Sequence, residues 1–198
     1  MPTHHTGNSR FDGFSDADLY TLTADSKSGD AAFRELYARL AGKIYAYCRC
    51  VAWRQDESDD LFQETLSRLY ESAHQNRPVA NVTGYAIKIA RNLWLNLQRG
   101  RKPVVSLDHA ELQVHDMPHE RTEMLDLIQM AMELLTEDYR EAFYLREFND
   151  MPYDDIAEIL GISSGNVRIR VTRARERIRQ ILEPYIAEYE THTQRNKP

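Results

Sequence analysis

Apolar residues along this chain recur at intervals of three and four, and no sustained alternation of two appears, so the pattern predicts helices and no strands. Ser15 to Asp18 has the form of a capping box that opens a first helix. Gly29 and Asp30 precede a long second helix, along which Phe33, Leu36, Tyr37, Leu40, Ile44, Tyr47 and Val51 trace one face. Asp56 is the expected cap of a third, with Leu61, Phe62, Leu66, Leu69 and Tyr70 inward, and Asn76, Arg77 and Pro78 end it. A fourth starts near Thr83, turns Ile89, Ala90, Leu93, Trp94 and Leu97 inward, and stops where Gly100 and Pro103 interrupt it.

From Pro103 to about Arg121 the period is lost, and two prolines with no apolar stripe predict a linker. Helices resume near Thr122. One runs to Leu135, and the next has Thr136 as N-cap with Glu137 and Asp138 suited to the helix dipole. Asn149 to Pro152 forms a turn, with the proline expected in the first turn of the helix that follows. The chain therefore reads as all-α: a disordered tail over 1–16, a helical domain over 17–102, a flexible linker over 103–121, a second helical domain over 122–190 and a frayed tail over 191–198.

The stretch from Tyr153 to Arg179 carries the most chemistry. Ile156, Ala157 and Leu160 give one short helix an apolar face, and Val167, Val171, Ala174 and Ile178 give the next one another. Ala157 is small where two crossing helices approach, and Gly161 tolerates the left-handed turn between them. This is the pattern of a helix-turn-helix whose second helix enters a DNA major groove. Ser163 or Ser164 can cap that helix. Asn166, Arg168, Ile169, Arg170 and Arg173 follow in its first turns, where base edges are reached, while Arg175, Arg177 and Arg179 suit phosphates, a neighbouring helix or solvent.

A net charge of −6 argues against nucleic acid until its distribution is considered. From Glu137 to Glu158, Arg140 and Arg146 face eight carboxylates; from Asn166 to Arg179, six arginines face only Glu176. One helix can meet phosphates while its neighbours keep the protein off random DNA. A second cationic surface lies on the fourth helix, where Lys88, Arg91, Asn92, Asn96 and Arg99 share the outer side. On the third helix Asp60, Gln63, Glu64 and Ser67 share the face opposite the apolar one.

Other chemistry is excluded. No apolar run is long enough to span a bilayer and the first residues lack a signal peptide's apolar stretch, so a cytoplasmic protein without membrane contact is expected. Cys48 and Cys50, two apart on a helix, point in different directions and are expected as small buried or half-buried residues. His109, His115 and His119 cluster in the linker at no usual zinc spacing, so no metal is expected. No phosphate-cradling glycine loop and no nucleophile in a recognisable setting appears, so neither enzymatic activity nor a cofactor is expected.

Asp56 to Tyr70 resembles the polymerase-binding helix of bacterial sigma factors, Thr83 to Lys102 resembles the promoter-opening helix that follows it, and Leu135 onward with the helix-turn-helix resembles the C-terminal sigma domain. Three such motifs in this order around a linker are similar to the extracytoplasmic-function (ECF) group of the sigma-70 family, over roughly residues 17–185. The resemblance implies that 17–102 is sigma domain 2 and 122–190 sigma domain 4. It implies that Asp60, Gln63 and Glu64 contact the clamp helices of core RNA polymerase. It implies that Lys88, Arg91, Asn92, Asn96 and Arg99 meet the minus-ten element as it melts, after a loop over 75–82 that captures an unpaired base. It implies that Ser164, Asn166, Arg168, Ile169, Arg170 and Arg173 read the minus-thirty-five element, that the linker threads toward the polymerase active centre, and that an anti-sigma factor holds the protein inactive. The chain departs from the family's usual residues at Tyr85, Asn96, Asn166 and Ile169.

Energetics agree with a partner of this kind. Opening duplex costs about 1.4 kcal/mol per base step, and stacking a captured base returns roughly 1–3 kcal/mol. A protein of this size nucleates opening, and a larger machine must hold the bubble. The alternative, a helix-turn-helix regulator that acts without polymerase docking, explains 136–182 but neither the acidic third helix nor the basic fourth.

Overall fold

The computed structural model describes residues 10–52, 54–75, 77–100 and 120–195, with side chains in the last span from 127 to 185. These residues form helices and no strands, divided into two compact units at residue 100. The expected linker, its histidines, and Arg101 and Lys102 lie outside the described residues.

The first unit comprises α1 (Asp16–Leu22), α2 (Gly29–Val51), α3 (Gln55–Ala73) and α4 (Val82–Gly100), with α2, α3 and α4 packed on one another and α1 laid mainly on α2. The capping box is present: the Asp18 backbone N–H donates to Ser15 Oγ at 3.2 Å, and the Ser15 N–H donates to the Asp18 carboxylate at 2.9 Å. The Ser15 hydroxyl, which donates to the same carboxylate at 2.7 Å, and the Ser15 N–H hold the Asp18 carboxyl below its ordinary range. Asp25 turns the chain into α2 by accepting from the Lys27 and Ser28 N–H groups at 2.9 and 2.8 Å. Gly29 is required there, because a Cβ would sit 2.3 Å from the Thr23 carbonyl oxygen.

Three expectations change. Residues 10–15, assigned to a disordered tail, are ordered: Phe11 is only 6% exposed, and Arg39 donates to the Phe14 carbonyl at 2.7 Å and the Phe11 carbonyl at 3.4 Å. Asp56 is not the cap of α3. Arg54 occupies that position, and Asp56 lies in the first turn, ion-paired to Arg54 at 2.8 Å. Leu97 is 49% exposed rather than inward, because the buried stripe of α4 ends at Trp94, and Tyr37 on α2 is likewise 44% exposed. The core is built, as the pattern expects, from Leu36, Leu40, Ile44 and Tyr47 with Leu61, Leu69 and Ala90, and Ile87 joins them. It includes polar groups that find partners: Thr65 Oγ1 donates to the Leu61 carbonyl at 2.7 Å, and the Tyr20 and Ser72 hydroxyls lie 2.8 Å apart, tying α1 to α3.

The second unit comprises α5 (Glu120–Glu133), α6 (Glu137–Glu147), α7 (Tyr153–Leu160) and α8 (Ser164–Arg195). Ala131, Leu135, Ala174, Ile178 and Leu182 form a core cluster that joins α5 to α8. The Val167–Val171–Ala174–Ile178 stripe is buried as the pattern predicts, and on α7 the inward residues are Ile156, Ile159 and Leu160, with Ala157 half-buried. Gly161 adopts φ 68°, ψ 34°, and its N–H closes α7 on the Ala157 carbonyl at 2.9 Å. Pro152 is the N-cap of α7 rather than a first-turn residue. α8 runs to Arg195, into the span expected to fray, and accommodates Pro184 within it.

Candidate nucleic-acid interfaces and an acidic docking face

On α3 the pattern of burial fixes which side is available. Leu61, Thr65, Leu69 and Ser72 are buried, so Asp60, Gln63, Glu64 and Ser67 are turned to solvent, as the helical period requires. Glu64 pairs with Arg68 at 2.7 Å, both about half exposed, a contact of the kind that contributes under about 1 kcal/mol. Beside this face lies an aromatic cluster, of which the apolar pattern assigns Tyr37 and Phe62, but not Tyr45, to the core. Phe62 meets Tyr45 edge-on at 5.4 Å and Tyr37 at 6.4 Å. The Tyr45 hydroxyl donates to Asp59 at 2.9 Å, and this bond raises the phenol above its ordinary value.

Between α3 and α4 the first unit holds an open cleft of about 400 Å³, lined among others by Arg68, Gln75, Tyr85, Ile89 and Asn92. Tyr85 meets Tyr20 edge-on at 6.3 Å. Asn81 starts α4 by accepting from the Gly84 N–H at 2.8 Å, one position ahead of the helix start, which falls at Val82 rather than Thr83. Along α4, Asn92, Asn96 and Arg99 are exposed and Lys88 and Arg91 half-buried, so all five reach the outer side. Arg99 donates to the Asn96 side chain at 3.4 Å.

The arginines of α8 are organised by the two preceding helices. Arg170 pairs with Asp138 at 2.9 Å, Arg173 donates to the Tyr139 hydroxyl at 3.3 Å, and Arg175 pairs with Glu147 at 2.5 Å. Arg168 lies over the Tyr153 ring at 5.3 Å, and Arg146 over the same ring at 5.0 Å. Ser163 is the capping serine, its Oγ accepting from the Asn166 N–H at 3.2 Å, while Ser164 is hydrogen-bonded to Asp154. Of the six residues expected to read bases, Asn166, Arg168, Ile169 and Arg173 are exposed, and Ser164 and Arg170 are half-buried and tied to acidic partners.

Cys48 is buried, which pushes its thiol up to about 12, and Cys50 is half-buried, both as free thiols. Among the described residues no group of His, Cys, Asp and Glu could hold a metal ion.

Comparison with known proteins gives these faces a context. The family model for Sigma-70 region 2 matches residues 36–103, and that for Sigma-70, region 4 matches residues 125–178. The ECF RNA polymerase sigma factor SigE of Mycolicibacterium smegmatis is 28% identical over 186 residues, which span 88% of this chain and 72% of that protein. The RNA polymerase sigma-H factor of Pseudomonas aeruginosa is 31% identical over 172 residues, spanning 79% of this chain and 89% of that protein. A solved structure of the sigma factor RpoE from Bartonella quintana, in complex with the anti-sigma factor NepR, shares the fold with a TM-score of 0.61 at 23% identity, over 76% of this chain and 96% of that one.

Proposed function

The chain belongs to the ECF group of the sigma-70 family, and on that premise we propose how its surfaces divide the work of initiation. As a sigma factor it binds core RNA polymerase, directs it to specific promoters and nucleates their opening, without enzymatic activity of its own. The region 2 match removes the alternative of a regulator that acts without polymerase.

In this proposal Asp60, Gln63 and Glu64 dock on a basic helical element of the polymerase, where an acidic, hydrogen-bonding face speeds encounter and fixes orientation. Lys88, Arg91, Asn92, Asn96 and Arg99 engage the minus-ten element, the arginines on phosphates and the asparagines on base edges. Ser164, Asn166, Arg168, Ile169, Arg170 and Arg173 present α8 to the minus-thirty-five element. Residues 17–102 act as sigma domain 2 and 122–190 as domain 4. An anti-sigma factor completes the scheme. The Bartonella protein is bound to one, and the α3 face and the outer side of α8 are open to such a partner. The place of action is the cytoplasm, the compartment of polymerase and promoters. Among the described residues no helix is long and apolar enough to cross a membrane.

The observation that carries the proposal is the two-sidedness of α3, with Leu61, Thr65 and Leu69 inside and Asp60, Gln63 and Glu64 outside within the region 2 match. Run-off transcription with core polymerase tests it. Changing the three residues together to alanine lowers initiation by at least about thirtyfold, the effect of losing a hot spot of ~2 kcal/mol, while the thermal midpoint stays put because none of the three is buried. Initiation at the wild-type level by that variant overturns the docking assignment.

A further inference from the structure

Ile169 is 50% exposed on a helix whose other apolar residues between Val167 and Ile178 are buried. A single exposed aliphatic side chain is ordinary on a protein surface. This one is not randomly placed. At 3.6 residues per turn it falls roughly half a turn around α8 from the Val167–Val171–Ala174–Ile178 stripe, so it stands at the outermost line of the helix. Its flanks are guanidinium groups held back by other helices. On one side Arg170 is drawn to Asp138 and Arg173 to Tyr139; on the other Arg168 lies over Tyr153 and Arg175 is drawn to Glu147. Beyond them Gly165, Asn166 and Thr172, none of them charged, are exposed beside it in the first turns. The apex of the recognition helix is therefore apolar, between two anchored cationic rails.

We infer that Ile169 reads the 5-methyl group of a thymine in the minus-thirty-five element. This rests on the proposed role of α8 and makes one of its contacts specific. A side chain at that line enters deepest when the helix seats in a major groove. Ile169 can neither donate nor accept a hydrogen bond. Guanine, adenine and cytosine present polar groups on their major-groove edges, and covering one with an isoleucine leaves it unsatisfied. Thymine carries an O4 acceptor there too, but it alone adds a methyl group beside it, whose removal from water against Ile169 is favourable. Arg168, Arg173 and Arg175 supply the phosphate attraction, which carries no sequence information, so the apolar apex discriminates where they only attract.

The test uses the full chain with core polymerase. Promoters are selected from a library randomised across the minus-thirty-five element, and each thymine of the winning sequence is then replaced singly by deoxyuridine, which differs only by the missing methyl. The expected result is one position at which deoxyuridine slows open-complex formation about fourfold, the equivalent of one buried methyl-sized group at ~0.8 kcal/mol. Ile169→Ser abolishes that difference, and Ile169→Val retains most of it. A selected element without thymine, a deoxyuridine series flat at every position, or a serine variant that keeps the wild-type difference each overturns the inference, and initiation by the wild-type protein from the selected promoter shows that the proposed function stands. Failure of the wild-type protein to initiate from any selected promoter overturns the proposed function together with it.

Discussion

Arg170 on α8 reaches Asp138 in the first turn of α6, thirty-two residues earlier in the chain, at 2.9 Å. Asp138 thus serves two ends, as a favourable charge at a helix N-terminus and as a restraint on a cation of α8.

Releasing that restraint separates affinity from stability. Asp138→Asn is expected to change unfolding free energy by less than about 1 kcal/mol, since the Asp138 side chain is 63% exposed and pairs of this kind are weak. Freed Arg170 then gains a phosphate. Nonspecific DNA affinity rises, and the slope of log K against log salt steepens by about 0.9. Fluorescence anisotropy with the full chain across a sodium chloride series measures it, and an unchanged slope shows that Arg170 meets no phosphate once released.

Two glycines of α2 are expected to respond in opposite directions. Gly29→Ala places a Cβ 2.3 Å from the Thr23 carbonyl oxygen, a backbone atom that cannot step aside, so the α1–α2 turn must move. Gly42 lies mid-helix with nothing within 4 Å of the Cβ position. Gly42→Ala therefore stabilises by roughly 0.5–1 kcal/mol through helix propensity. Urea denaturation of both variants checks the pair, and a shift of the same sign in both contradicts the contact geometry.

Alkali is expected to weaken the first unit. Burial raises the Tyr20 phenol above its ordinary value of 10.0 and moves the Cys48 thiol from 9.0 to about 12. For both groups the folded state holds the proton more tightly than the unfolded state. The associated stability is complete below about pH 9 and is lost as the pH rises toward 12. Thermal midpoints measured across that window fall for the wild type, and Cys48→Ala flattens the early part of the fall even where it lowers the midpoint at neutral pH. A variant that keeps the full early decline shows that Cys48 is not its source.

Much of the fold was legible because its signals are local. Ser15 and Asp18 are three residues apart and cap as the pattern says, and the Val167–Val171–Ala174–Ile178 stripe is buried throughout. The faces of the candidate sites were legible for the same reason: a helix that buries Leu61 and Leu69 must expose Asp60 and Glu64. What failed depended on distance in the chain. Leu97 fits an apolar period, but α4 extends beyond the part of its own unit that covers Trp94. Arg140 and Glu141, charged and each only 5% exposed, are inside because of what packs around α6, which no period records. Phe11, in a turn ahead of α1, is buried, and the chain there is held by Arg39 of α2, twenty-eight residues later, which donates to its carbonyl. The partners of Arg170 and Arg175 could not be read from α8 at all, since charge pattern tells how many cations a helix carries and not which are already engaged.

The tethers from α6 and α7 to α8 bear on how promoter choice can be inherited. Two relatives identical letter for letter along α8 but different at 138, 139 or 147 would aim the same guanidinium groups differently. On the proposed role of α8, a promoter code written in that helix alone is incomplete, and its alphabet extends to the α6 residues that hold its arginines.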